Sequence, residues 1–184
     1  MEAAEMTRDP EVQALLDKQA IYEVVCRFCR GADRLDKELM LSCYHPGALY
    51  HYAGYDGTVE GAFEWGWSWL SGLEGTLHVI GNHLIDLHGE QALSETYLNA
   101  YHWGEPRSDP AKNYRSGTRY VDRFERRAGE WKIAERWMMR SFARYEGDAG
   151  KLEVPDEVNK WPASRRDRDD VVYTAMRASL EKRP

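Results

Sequence analysis

Gln91-Ala92-Leu93-Ser94-Glu95-Thr96-Tyr97-Leu98-Asn99-Ala100-Tyr101-His102-Trp103 is the stretch on which the fold turns. Its pattern has the period of two that a strand imposes, so Ser94, Thr96, Leu98, Ala100 and His102 share one face. Upstream, residues 77–87 read as a second strand that reaches the first through a turn at His88-Gly89, which makes the two an antiparallel pair. Downstream, past a polar link over 104–113, residues 115–126 and 131–140 form another hairpin about Ala128-Gly129. Parity puts Thr118, Tyr120 and Asp122 on one face, with Ala134, Arg136 and Met138 matching them on the next strand. The sheet reads as antiparallel throughout.

The segments before these strands are helical. Asp9-Pro10 is a capping start, and Val12, Leu15, Leu16, Ile21, Val24, Val25 and Phe28 follow at roughly helical spacing to an end near Gly31. A short second helix covers 36–44, stopped by His45-Pro46-Gly47, and the two helices meet at Asp33. Residues 49–52 and 58–59 read as a hairpin turning at Asp56-Gly57. A third helix over 61–73 carries Phe63, Trp65, Trp67, Trp69 and Leu70. It is too aromatic for a solvated helix, so it should lie over the sheet or a pocket mouth. The expected fold class is α+β: a cone-shaped barrel of residues 1–147, with N-terminal helices packed on a strongly bent antiparallel sheet that encloses a pocket. Residues 148–184 form a charged extension with a short helix over 171–180. Trp161, Val171, Val172, Tyr173 and Met176 suit it to dock on the domain or on a neighbouring subunit.

Composition narrows the function. With 184 residues, 42% hydrophobic and 30% charged, the chain can bury a core of its own and lacks the signature of disorder. A net charge of −6, with arginines interleaved among acidic residues as in 123–130, leaves no basic field for nucleic acid. Residues 1–11 are acidic, and no apolar run approaches the roughly 18 residues of a spanning helix, so the expectation is a soluble cytoplasmic protein with no membrane partner. Cys26, Cys29 and Cys43 are an odd set that implies no disulfide framework. Cys26-Arg-Phe-Cys29 matches a bare C-x-x-C, but it lies inside a helix where a redox pair would open one, which favours buried thiols.

Several strings carry a family resemblance: Ala20-Ile21-Tyr22, Gly31-Ala32-Asp33-Arg34-Leu35-Asp36, Leu77-His78-Val79-Ile80-Gly81-Asn82, Gly117-Thr118-Arg119-Tyr120-Val121-Asp122-Arg123, Gly129-Glu130-Trp131-Lys132-Ile133, and Arg168-Asp169-Asp170 with Tyr173. Over about residues 12–175 the chain resembles the SnoaL-like branch of the nuclear transport factor 2-like superfamily. Among its members, scytalone dehydratase and hexachlorocyclohexane dehydrochlorinase resemble the chain where their chemistry is done. The resemblance implies an Asp33-His78 dyad, a second histidine at His102, a carbonyl-orienting tyrosine at Tyr52, an active-site arginine at Arg136, and polar pocket positions at Thr118 and Tyr120. Two departures stand out: Phe28 replaces a Tyr or Lys common among relatives, and Ala32 replaces the dehydratase's other tyrosine.

The chemistry is consistent with these roles. Elimination beside an acidic C–H needs a base near neutral pKa, and a histidine held by a carboxylate provides one. His102 or Arg136 could assist the leaving group, and Tyr52 and Tyr120 could polarise a carbonyl or phenol. Phe28, Leu98 and Met138, with Phe124 and part of the tryptophan-rich helix, would complete an apolar cavity for a small aromatic or polycyclic ligand. The expected function is a cofactor-free lyase of dehydratase type. Its substrate would be a small aromatic compound, and a lignin-derived diarylpropane losing water or formaldehyde is one such candidate. An isomerase or cyclase would use the same dyad, and the fold also serves as a non-catalytic binding module. Three plainer readings stay open: Asp33 as the cap of helix two, Arg136 as a strand arginine paired with Asp122, and two histidines plus a carboxylate as a metal triad. The resemblance further implies a homodimer or homotrimer. Removing the chain from Lys151 onward should lower its assembly state if the extension clamps the interface.

Overall fold

Asp9 opens the first helix by accepting from the Glu11 backbone N–H, and Pro10 fits a first turn where no intrahelical donor is needed. In this computed structural model, which describes residues 9–52, 54–147 and 167–169, that helix is α1 (Pro10–Arg34). It buries Ile21, Val24, Val25, Phe28, Cys29 and Ala32, a three-and-four spacing that points one stripe at the sheet. It runs past Gly31 to a left-handed Leu35 (φ 53°). Gly31 is therefore no stop. A Cβ there would lie 2.6 Å from Met40 Cγ and 3.1 Å from the Asp36 carbonyl, so glycine is what lets α1 meet the next helix, α2 (Lys37–Ser42). Asp36, accepting from Leu39 N–H, caps α2.

After α2 come β1 (Tyr44–Tyr52), β2 (Tyr55–Thr58), α3 (Val59–Ser71), β3 (Gly75–His88), β4 (Gln91–Trp103), a single 3-10 turn (Pro110–Lys112), β5 (Tyr114–Arg127) and β6 (Glu130–Tyr145). The β1–β2 turn departs from expectation. Tyr52 pairs with Tyr55, so the chain reverses around Gly54 (φ 94°), and Asp56-Gly57 lies within β2. His45-Pro46-Gly47 lies inside β1, where residues 45–48 bulge out of register against β6 with Gly47 at φ 71°.

The strands form one sheet in the order β2-β1-β6-β5-β4-β3. The expectation of an all-antiparallel sheet is corrected at one joint: β1 runs parallel to β6, so the sheet is mixed. The two strands are joined by most of the domain and not by a hairpin, so no local turn chemistry sets their direction. The cone is also not a closed barrel, since β2 and β3 are its two edges.

Bulges bend the sheet and decide which side chains face inward. On β3 the register shifts between Ile80 and His83, so Thr76, His78 and Ile80 face in before it and His83, Ile85 and Leu87 after it. On β6 the partners step from Arg140 opposite Thr118 to Phe142 opposite Gly117, which turns Ala143 and Tyr145 toward the interior. The core fills the closed end of the cone, with Ile21, Val25, Phe124 and Ile133 fully buried between α1 and the sheet. Asp17 of α1 fastens that end by accepting from Trp131 Nε1 (3.0 Å) and pairing with Arg126. Among the described residues no helix is long and apolar enough to cross a membrane. Most of the extension lies outside the described residues, and at 167–169 Arg168 sits 3.5 Å from Asp36.

Candidate active site

Asp33 ends the last turn of α1 and points its buried carboxylate at β3. One oxygen accepts from the Thr76 hydroxyl (3.0 Å) and lies 2.7 Å from His78 Nδ1, while the other accepts from the His78 backbone N–H (3.1 Å). A carboxylate near a helix C-terminus meets the negative end of the dipole, and these donors offset that cost. Because an ionised carboxylate only accepts, His78 Nδ1 carries the hydrogen, and Nε2 is left with a lone pair on the cavity side. With Asp36 capping α2, Asp33 serves as the histidine's partner and not as that cap.

His78 opens into a cavity of about 640 Å³, a size suited to a ligand of one to a few rings. His102 faces it from β4, with its ring edge-on to His78 at 6.1 Å between centroids and stacked on Tyr114 at 4.2 Å and 7°. Phe28, Tyr52, Leu98, Thr118, Tyr120 and Met138 all line this cavity; strand parity points the last four inward, and Phe28 reaches it from α1. Four of its phenols, those of Tyr50, Tyr52, Tyr114 and Tyr120, are raised above the ordinary value and stay protonated at neutral pH. Burial pushes Tyr50 up to about 12 against the pull of Arg136, and burial raises Tyr52 against Arg140. Burial likewise lifts Tyr114 and Tyr120, so each enters as a neutral hydrogen-bond donor.

Arg136 is a correction. It does not line the cavity; it lies under the cavity floor, fully buried, with Nε and Nη2 on the two Asp122 oxygens at 2.7 and 2.6 Å. The rings of Phe28 and Tyr120 cover it at 4.3 and 4.0 Å. Strand parity put Arg136 on the inner face, but it could not tell the sealed end of the cone from the open one. Sealed off from both the cavity and the dyad, this side chain supports the floor. The arginine that does line the cavity is Arg140, four residues on and nearer the mouth.

The tryptophan-rich helix contributes Trp65, Trp67 and Trp69 to the lining, while sequence reading missed Tyr50, Tyr114, Ser116, Arg140 and Tyr145. Tyr114, Ser116 and Arg140 keep the parity already assigned to Thr118 and Met138: Ser116 and Arg140 fall inside the strands as read from the sequence, and Tyr114 lies one residue before the first of them. Tyr145 had no such signal, because the bulge before Phe142 reverses the parity. Among the described residues no three His, Cys, Asp or Glu side chains converge as a metal site. Cys29 is buried, its thiol pushed up to about 12 by desolvation, and it is a free cysteine.

The sequence model of the SnoaL-like domain matches residues 13–137. The chain belongs to the SnoaL-like domain family. That match covers both members of the dyad and all of the cavity lining up to β6 short of Met138. No curated protein matches the chain. Among solved structures, a candidate scytalone dehydratase from Novosphingobium aromaticivorans is similar at a TM-score of 0.64 and 18% identity, covering 76% of this chain and 97% of that one. Hexachlorocyclohexane dehydrochlorinase LinA-type3 from Novosphingobium barchaimii gives 0.66 and 16%, covering 79% and 99%. At these identities the likeness is one of fold, and the SnoaL-like cone is that fold.

Proposed function

We propose that this SnoaL-like chain is a lyase that needs no cofactor and eliminates water, or another small leaving group, from a small aromatic or polycyclic compound. The observation that carries the reading is the 2.7 Å contact of Asp33 with His78 Nδ1, which aims Nε2 into an aromatic-walled cavity. In this scheme His78 Nε2 takes a proton from a carbon, and the released electron pair forms the new double bond. The carbon–oxygen bond breaks as a protonated His102 gives its proton to the departing hydroxyl, which leaves as water; His78 then releases its proton to solvent and His102 takes one up, which closes the cycle. Asp33 stabilises the imidazolium, and Tyr52 and Tyr120 donate to a carbonyl or phenol that gathers charge. A diarylpropane losing formaldehyde would use the same base on a hydroxymethyl O–H, whose proton passes to His78 as the carbon–carbon bond to that carbon breaks and its electron pair forms the new double bond.

Screening hydroxylated aromatic compounds by mass spectrometry for loss of water or formaldehyde tests the proposal. His78→Gln and Asp33→Asn should each lower turnover about 10²–10⁴-fold with the circular dichroism unchanged. Turnover that survives both changes would remove the dyad from the chemistry. A product of unchanged mass that carries solvent deuterium would favour an isomerase or cyclase, and binding without turnover a ligand-binding protein.

A further inference from the structure

Among the described residues the cavity lining contains a single guanidinium and no carboxylate or ammonium: Arg140 stands among Tyr52, Trp65, Tyr145 and the other aromatic walls. It is exposed at the mouth, and among the described residues no carboxylate pairs with it, whereas Arg119, Arg123, Arg126, Arg127 and Arg136 each have one. Its charge reaches into the cavity, because it opposes the effect of burial on the Tyr52 phenol. A cation on an aromatic wall, with no carboxylate partner among the described residues, is suited to a ligand that brings a ring and an anion together.

We infer that Arg140 selects aromatic compounds bearing a carboxylate, holding that group at the mouth while the ring system runs inward to His78. The inference rests on reading the cavity as a substrate site. Strand register sets the scale. Arg140 pairs with Thr118, Thr118 with Leu98 and Leu98 with Ile80, while His78 lies one inward step along β3 from Ile80. Three inter-strand steps of about 4.8 Å, with two residues along β3, put the two ends about 16 Å apart along the sheet, and less across the bent cone. Long side chains reaching in from both ends leave a span that a body of about two aromatic rings fills. The carboxylate would accept from Arg140 Nη groups and, on the same rim, from the protonated Tyr52 hydroxyl. A neutral amide of the same shape could use only one of its atoms as an acceptor and would carry no charge.

Isothermal titration of the full chain with 4-biphenylcarboxylate and with 4-biphenylcarboxamide tests this without any turnover. At low salt the carboxylate should bind about 10-fold tighter than the amide, with the gap closing as salt screens an exposed cation. Arg140→Gln should bring the two affinities together by weakening the carboxylate far more than the amide, and Arg140→Lys should restore part of the gap. His78→Gln should leave the gap intact, so a failed dyad and a failed anion site give different results. Equal affinities in the wild type, a gap that survives Arg140→Gln, or no binding of either probe would each overturn the inference.

Discussion

Replacing Asp122 by asparagine should destabilise the domain far more than it disturbs the cavity chemistry. The carboxylate is fully buried and holds Arg136 through two hydrogen bonds, and the guanidinium is fully buried as well. Removing one partner of such a pair leaves an uncompensated buried charge, which costs about 3–5 kcal/mol. Asparagine keeps one neutral acceptor, and the faces of Phe28 and Tyr120 still cover the cation, so the lower end of that range applies. For a domain of this size each kcal/mol moves the thermal midpoint by about 2–4 °C, so the midpoint should fall by about 6–12 °C. The assay is a circular-dichroism melt of the wild type, Asp122→Asn, and the double variant Asp122→Leu with Arg136→Met. The double variant removes both charges and should recover most of the loss. A midpoint for Asp122→Asn within about 2 °C of the wild type would refute the structural role given to Arg136. Lost turnover at unchanged stability would return Arg136 to the chemistry.

Two further outcomes follow from groups outside the dyad. In the folded protein a thiol reagent such as iodoacetamide should modify Cys26, which is partly exposed, well before Cys29, whose buried thiol is pushed up to about 12, and denaturant should open all three cysteines. Rapid labelling of Cys29 in the native state would contradict its burial. His83 sits 2.7 Å from Ser94 Oγ, and burial lowers its pKa. Its neutral form therefore contributes stability that is fully present above the unfolded value near 6.5 and is lost as pH falls through the lower folded value. The thermal midpoint should drop on acidification below about pH 6.5, and His83→Gln should flatten that drop; an identical profile in the variant would remove His83 as the cause.

The sequence by itself determined most of the strands and one face of each. In Gln91–Trp103 the alternation held without a break, because β4 is the strand against which β3 bulges and is itself regular against β5. The parity of Thr118, Tyr120 and Met138 was legible for the same reason, and the resemblance around Gly31–Asp36 and Leu77–Asn82 placed Asp33 and His78 before any contact was known. Tertiary structure alone decided what local pattern does not encode. The direction of β1 beside β6 is a non-local pairing, with no shared turn to report it. The reversal at Phe142 comes from one extra residue whose sequence looks like ordinary strand. The different positions of Arg136 and Arg140, one sealed beneath the floor and one at the mouth, arise from how far along a bent cone each residue stands, because period-two parity reports a side chain's face and not its depth.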